Sequence, residues 1–101
     1  MEKKKPHHDL AKIKATFSSF ERLRLTETGL TFAKLDLGLS DDELVALVQS
    51  VERRHFYKSM TAKNNSRIWQ DVYHVPYASR VLYVKFTKDI DGYLLISLKE
   101  K

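Results

Sequence analysis

Apolar residues in the first half of the chain recur with the period of a helix. One stripe of an amphipathic helix, with spacings of three and four residues, consists of Leu10, Ile13, Phe17 and Phe20. The start of this helix stays open, because Asp9 fits an N-cap and Pro6 fits a first helical position. The alternating segment RLRL at 22–25 favours a short strand after the helix.

Two further helices are predicted before residue 52. The weaker one covers about 26–36, where Gly29 lowers its helix propensity and Gly38 suits a C-terminal stop. The stronger one is SDDELVALVQSV, because Ser40 and Glu43 have the spacing of a capping box. The acids in its first turn complement the helix dipole, so we interpret them as caps rather than metal ligands.

The second half of the chain is rich in aromatic and β-branched residues, which favours strands. Four segments are predicted as strands: HFYKSMT, RIWQDVY, RVLYVKFT and YLLISLK. The turns AKNNS and DIDG join neighbouring strands, and HVPYAS is predicted to be a loop because it contains Pro76. The fold class is therefore α+β, a four-stranded antiparallel meander packed on one face by about three helices.

Length and composition limit the possible functions. A chain of 101 residues is expected to form one domain, 1–101, with a single modest core. It has no cysteine, no apolar secretory segment after MEKKKPHHDL and no stretch of about 18 apolar residues, so a cytoplasmic protein without a membrane span is expected. Phosphate-binding glycine motifs and metal-binding histidine motifs are absent, and neither a metal nor another cofactor is predicted.

Positive charge is concentrated in the strand region. Residues 1–51 carry eight Lys/Arg and eight Asp/Glu, whereas residues 52–101 carry ten Lys/Arg against five Asp/Glu. Between Arg53 and Lys88 there are eight basic residues and a single acid, Asp71. Such a bias is typical of a surface that binds polyanions such as nucleic acid, although it also suits a merely solubilising surface.

Polar residues on the predicted strands define a candidate site. Alternation places Lys58 on the same side as Phe56 and Met60, and it places Tyr83 and Lys85 opposite the core face of their strand.

The position of Gln70 is harder to predict. Alternation gives it the same side as Ile68, Val72 and His74, and two of these look like core residues. Either a bulge turns Gln70 outward, or this side is a partly apolar functional surface.

A lysine, an amide and a tyrosine suit cleavage of RNA, in which the ribose 2′-OH attacks its own phosphate. Tyr83 would donate or accept a proton, Lys58 would stabilise charge on phosphorus or act as an acid, and Gln70 would position the ribose or a base. Unpaired bases would stack or pack on Met60, Tyr73 and Tyr77. An exposed strand lysine is often only solvated, and a strand tyrosine is often packing. From the residues alone, simple binding is favoured over cleavage.

Five blocks resemble a known family: MEKKKPHH, FYKSMT, IWQDVY, LYVKF and SLKEK. In the same order, they are similar to blocks of MqsR, the motility quorum-sensing regulator toxins. The helical region from about Phe17 to Val51 matches only in pattern, and the segment from His74 to Ser79 departs from the family.

The resemblance implies a toxin of a type II toxin–antitoxin pair with a RelE-like fold. Such toxins are metal-independent and ribosome-independent mRNA interferases, endoribonucleases that cut mRNA at short GC-containing sequences and thereby inhibit translation and growth. The implied partners are mRNA and a zinc-containing, MqsA-type antitoxin protein.

The family's active-site lysine, glutamine and tyrosine map onto Lys58, Gln70 and Tyr83. Met60 is also linked to the site, and His74 stands where the family carries an arginine, which would make that cation pH-dependent near neutrality. The full set of expected RNA contacts is Met60, Arg67, Tyr73, His74 and Lys85. The competing hypotheses are a non-catalytic module that binds nucleic acid or a partner, and a degenerate toxin without activity.

Overall fold

A computed structural model describes residues 1–101, which form three helices and one antiparallel sheet of five strands. The helices are α1 (Leu10–Thr16), α2 (Glu27–Thr31) and α3 (Asp41–Gln49). The strands are β1 (Glu2–Lys3), β2 (Phe56–Ala62), β3 (Asn65–Tyr77), β4 (Arg80–Lys88) and β5 (Leu94–Glu100). Their order in the sheet is β1-β2-β3-β4-β5, so the predicted α+β class is confirmed. None of the three helices has the length and apolarity needed to cross a bilayer.

The helices begin and end where their capping residues specify. The Asp9 carboxylate accepts hydrogen bonds from the backbone N–H groups of residues 11 and 12, so Asp9, not Pro6, sets the start of α1. Ser40 and Glu43 form the predicted capping box of α3. After α2 the chain continues through a π-helical turn over Phe32–Asp36. The helical segment then ends at Gly38, whose φ is +67°.

The alternating segment at 22–25 does not form a strand. Only Leu25 pairs with the sheet, through an isolated parallel bridge to Ile96 of β5. The segment is held at that edge by its apolar side chains, because Leu23 and Leu25 pack against the core while Arg22 and Arg24 stay exposed.

One core lies between the helices and a single face of the sheet. Its buried residues are Ile13, Phe17, Ala33, Leu39, Leu44, Leu47, Val48, Val51, Tyr73, Val75, Leu82, Val84, Phe86, Ile96 and Leu98. The strand residues in this set alternate along β3, β4 and β5, so the opposite face of the sheet carries the intervening side chains. We call that opposite side the outer face.

The N-terminal segment is part of the folded structure. Strand β1 extends the sheet by pairing with β2, so the sheet has five strands rather than the predicted four. The buried carboxylate of Asp71 fixes the chain that follows: it accepts hydrogen bonds from the backbone N–H groups of His7 and His8 at 3.0 and 2.7 Å. The Ser59 hydroxyl donates a third hydrogen bond to the same carboxylate at 2.6 Å.

The prediction that HVPYAS is a loop is wrong as well, because β3 continues to Tyr77 and the turn contains only Ala78 and Ser79. Pro76 pairs with Val81 of β4. Beyond residue 73, β3 has no partner on its β2 side, so the missing N–H of the proline leaves no hydrogen bond unmade there.

Candidate RNA-binding and active site on the outer face

The outer face presents side chains in rows that the strand register fixes. One row runs Lys58, Val72, Lys85 and Ser97 across β2 to β5. The adjacent row runs His74, Tyr83 and Lys99, and on the other side Met60 pairs with Gln70. Residues directly opposite one another have Cβ atoms only about 5 Å apart, so these rows form one continuous surface.

The prediction that Phe56 lies on the same side of β2 as Lys58 is wrong, because a β-bulge separates them. Between Phe56 and Lys58 the register of β2 shifts by one residue, and Tyr57 is the extra residue. As a result Phe56 turns to the core, where its ring lies edge-on to Tyr73, while Tyr57 and Lys58 both reach the outer face.

Gln70 lies on the outer face without a bulge, which decides between the two predicted alternatives. Its partner is Met60, and the pairing continues without a shift through Asp71 and Val72. Val72 shares this face with Gln70 and is fully buried, while Met60 and Ile68 line the same groove as Gln70, so the surface is partly apolar. Towards the hairpin turn, Gln70 lines an open groove of about 450 Å³; the groove also contains Met60, Thr61, Ala62, Lys63, Asn64, Asn65, Ile68 and Lys85.

Lys58 is held by an acid from the N-terminal strand. Its Nζ donates to Glu2 Oε2 at 2.9 Å, and its side chain is only 19% exposed. The hydrogen bond to Glu2 raises the pKa of Lys58, and the same contact lowers the pKa of the Glu2 carboxyl. Lys58 is therefore a positioned cation at neutral pH rather than a freely solvated one.

Two other lysines on the outer face lack an acid partner. Lys85 and Lys99 take part in none of the five salt bridges of the structure. Burial lowers the pKa of Lys85, and the nearby charge of Lys99 lowers it further. Because Lys58 and Lys85 both pair with Val72, their backbones lie about 10 Å apart, on either side of one buried residue.

His74 joins two tyrosines of the site. Its ring stacks on Tyr57, with centroids 4.3 Å apart and planes 23° apart, and its centroid lies 5.0 Å from that of Tyr83. The His74 Nε2 atom is buried and has no hydrogen-bond partner. Burial lowers the pKa of His74, so the ring favours its neutral form more than an ordinary histidine does.

Two of the predicted RNA contacts lie elsewhere. Tyr73 is 0% exposed and packs in the core between Phe56 and Phe86, so it offers no surface to RNA. Burial, with a contribution from Asp71, raises its pKa to about 12. The prediction that Tyr73 contacts RNA is therefore wrong, because the strand turns it to the helices. Arg67 is exposed near the β2–β3 turn and is not among the groove residues.

Sequence reasoning missed three residues of this surface. Tyr57 reaches it only through the bulge, and Glu2 only through a strand that brings it to Lys58, 56 positions later in the sequence. Lys99 belongs to the SLKEK block and follows the buried Leu98, so alternation could have predicted that it points to the outer face. Its pairing with Tyr83 could not be predicted from the sequence.

The chemistry available on the outer face is that of cations, hydroxyl and amide. Lysine ammonium groups can neutralise phosphate oxygens, the Tyr83 hydroxyl can pass a proton, and the Gln70 amide can both donate and accept hydrogen bonds. No group of three or more His, Cys, Asp or Glu side chains is arranged to hold a metal ion anywhere in residues 1–101.

Comparison with known proteins identifies the family of the chain. The family model described as "Motility quorum-sensing regulator, toxin of MqsA" matches residues 5–100. The protein "mRNA interferase toxin MqsR" of Escherichia coli (strain K12) is 36% identical over 101 residues, a match that covers 100% of each chain. The predicted resemblance is thereby confirmed: the chain belongs to the family of MqsR motility quorum-sensing regulator toxins.

Proposed function

We propose that the protein is a toxin that acts as an mRNA interferase, a metal-independent and ribosome-independent endoribonuclease for single-stranded mRNA. Membership of the MqsR family and the name of the Escherichia coli relative support this activity. Cleavage at short GC-containing sequences in the cytoplasm would inhibit translation and growth.

The observation that carries the proposal is the unpaired, half-buried ammonium of Lys85 beside Lys58. Partial burial without a carboxylate is unfavourable for the charged form of a lysine, and it lowers the pKa of Lys85. A phosphodiester bound across Val72 would provide the missing anion and would contact Lys58 on its other side. Val72 has no exposed surface, so the phosphate would lie above it and contact the two lysines rather than the valine.

The reaction that this surface suits needs no protein nucleophile. The ribose 2′-oxygen forms a bond to phosphorus as its proton leaves, the bond from phosphorus to the 5′-oxygen breaks, and that oxygen gains a proton. The products are a 2′,3′-cyclic phosphate and a 5′-hydroxyl. We assign proton transfer to Tyr83, charge stabilisation to Lys58 and Lys85, and positioning of the nucleotide in the groove to Gln70 and Met60.

The proposed protein partner is an antitoxin of the MqsA type, a zinc-containing protein that neutralises the toxin. The family description names MqsA as the partner of these toxins. Steric cover of the outer face would be sufficient for neutralisation, because every residue assigned to catalysis lies there.

The test is incubation of the purified protein with single-stranded RNA in EDTA, followed by analysis of the product ends. We expect cuts that leave cyclic phosphate and 5′-hydroxyl ends. Lys58→Ala should lower the cleavage rate by about 100- to 1,000-fold, the size typical for loss of one electrostatic stabiliser. Lys12→Ala is the matched control, because Lys12 is an exposed lysine of α1, in the helical layer.

A non-catalytic binding module is the alternative, and the same experiment separates it. RNA that is retarded on a gel but stays intact would reject cleavage and leave only binding. Equal cleavage rates for Lys58→Ala and Lys12→Ala would reject the assigned site even if RNA is cut.

A further inference from the structure

Tyr57 is a large aromatic residue that stays exposed next to the proposed active site. Its side chain packs in no part of the core, and 43% of the residue is accessible. The bulge at this position keeps the ring on the outer face, where regular alternation would have turned it inward. Neither the fold nor the roles assigned above account for this exposure.

The ring of Tyr57 is nevertheless held in place. His74 stacks against it at 4.3 Å with nearly parallel planes, and His74 in turn contacts Tyr83. A ring fixed in this way loses little conformational freedom when a ligand binds to it. The arrangement is therefore a rigid aromatic platform, backed from the side of β3.

Cations surround the platform. The ammonium groups of Lys58 and Lys4 lie 5.4 and 5.5 Å from the centroid of the Tyr57 ring. Lys4 is an exposed residue, so a ligand can displace its ammonium from the ring and still contact it. An aromatic plane flanked by lysines suits a group that has a flat π-system joined to an anion, which describes a nucleotide.

We propose that Tyr57, supported by His74, is a stacking subsite for the nucleobase adjacent to the phosphate bound at Lys58. This inference rests on the proposed ribonuclease function and adds to it one position of substrate contact. Tyr57 and Lys58 are consecutive residues that both reach the outer face. A base stacked on the Tyr57 ring and a phosphate bound at Lys58 would therefore belong to neighbouring nucleotides of one RNA molecule. Stacking is insensitive to base identity, so this subsite binds RNA without selecting a sequence.

The experiment measures binding and cleavage separately. Binding uses a short RNA oligonucleotide with a 2′-deoxy sugar at the cleavage position, which cannot react, and with 2-aminopurine as the neighbouring base. Cleavage uses the same sequence with an all-ribose backbone. The variants are Tyr57→Ala and Tyr57→Phe, and their melting temperatures are compared with that of the unmodified protein.

We expect Tyr57→Ala to weaken binding of the oligonucleotide by about 5- to 150-fold, the range for loss of one base stack. KM should rise by a similar factor while kcat changes little. Tyr57→Phe keeps the ring and should bind within a factor of two of the unmodified protein, with the same quenching of 2-aminopurine fluorescence. An oligonucleotide that is abasic at the stacked position should bind Tyr57→Ala and the unmodified protein equally.

Three results would overturn the subsite. They are unchanged binding in Tyr57→Ala, an equal loss in Tyr57→Phe, and a fall in kcat at constant KM. Failure of the proposed function gives a different result. The unmodified protein would then bind the deoxy oligonucleotide and quench its 2-aminopurine fluorescence but would not cleave the all-ribose oligonucleotide. That result would support the stacking subsite and reject the ribonuclease activity.

Discussion

Replacement of Asp71 by asparagine should test how the N-terminal segment is held. The carboxylate accepts three hydrogen bonds, from His7, His8 and Ser59, and it is fully buried. Asparagine has nearly the same shape but replaces one oxygen with an NH₂ group, which would then face an N–H or O–H donor. At least one buried donor loses its acceptor, at a cost of about 1–3 kcal/mol, and the remaining bonds lose the assistance of the charge.

The expected total is a loss of about 2–4 kcal/mol, which is a large fraction of the stability of a domain of this size. Thermal unfolding followed by circular dichroism should show a melting temperature lower by roughly 8 °C or more. A second signal comes from Trp69, the only tryptophan, because His7 stacks on it with centroids 5.3 Å apart. Release of the segment should shift the Trp69 emission to the red under native conditions.

Asp91→Asn is the matched control, since that exposed turn aspartate uses only its backbone N–H in hydrogen bonding. We expect it to change the melting temperature by no more than about 2 °C, as for an ordinary surface substitution. If Asp71→Asn is as stable as this control and its tryptophan emission is unchanged, the buried carboxylate does not hold the segment.

Three further predictions concern the outer face and its pH dependence. Tyr83→Phe should slow RNA cleavage at least 100-fold with little loss of binding, because only the hydroxyl is removed; equal losses would indicate packing. Glu2→Gln should lower the pKa of Lys58 and tighten binding of non-cleavable RNA at low salt, and weaker binding would contradict this. Burial lowers the pKa of His7 and His74 below 6.5, so the unfolded chain binds more protons there. The free energy of unfolding should therefore fall as the pH is lowered from about 7.5 to about 5.5. Melting curves of the unmodified protein and of His7→Gln and His74→Gln variants can measure this fall, and a stability that does not change with pH would contradict the prediction.

Local signals in the sequence were sufficient for the helices and for most of the sheet. The capping box of Ser40 and Glu43 marks the start of α3 by hydrogen bonds within one turn of chain. The alternation of 80–87 fixes which side of β4 faces the helices. Such features depend on residues that are close in sequence, and the structure agrees with them.

The face of β3 could not be read in the same way. Val72 and Tyr73 are both fully buried, although they point to opposite sides of the sheet. Tyr73 belongs to the core between the helices and the sheet, whereas Val72 lies on the outer face between Lys58 and Lys85, so hydrophobicity alone does not distinguish them. The same ambiguity led to the wrong assignment of Tyr73 and to the open question about Gln70.

Two features depend on distant pairing. The extra residue at Tyr57 becomes a bulge only against β3, and the turn-like composition around Pro76 is overridden because that part of β3 is paired on one side only. The contact between Glu2 and Lys58 likewise needs the sheet to be complete. Alternation within one segment contains no information about these partners.

The location of the candidate site on β2, β3 and β4 determines how its activity should respond to heat. His74 and Tyr83 each lie between two chain neighbours that are at most 2% exposed, and Lys58 is followed by the fully buried Ser59. Movement of the backbone at these positions would therefore disturb buried residues. Backbone amides in such central strands exchange with solvent only when the whole domain opens. Catalytic competence should therefore persist up to the melting transition and disappear with it, in contrast to enzymes whose active-site loops fail at lower temperature.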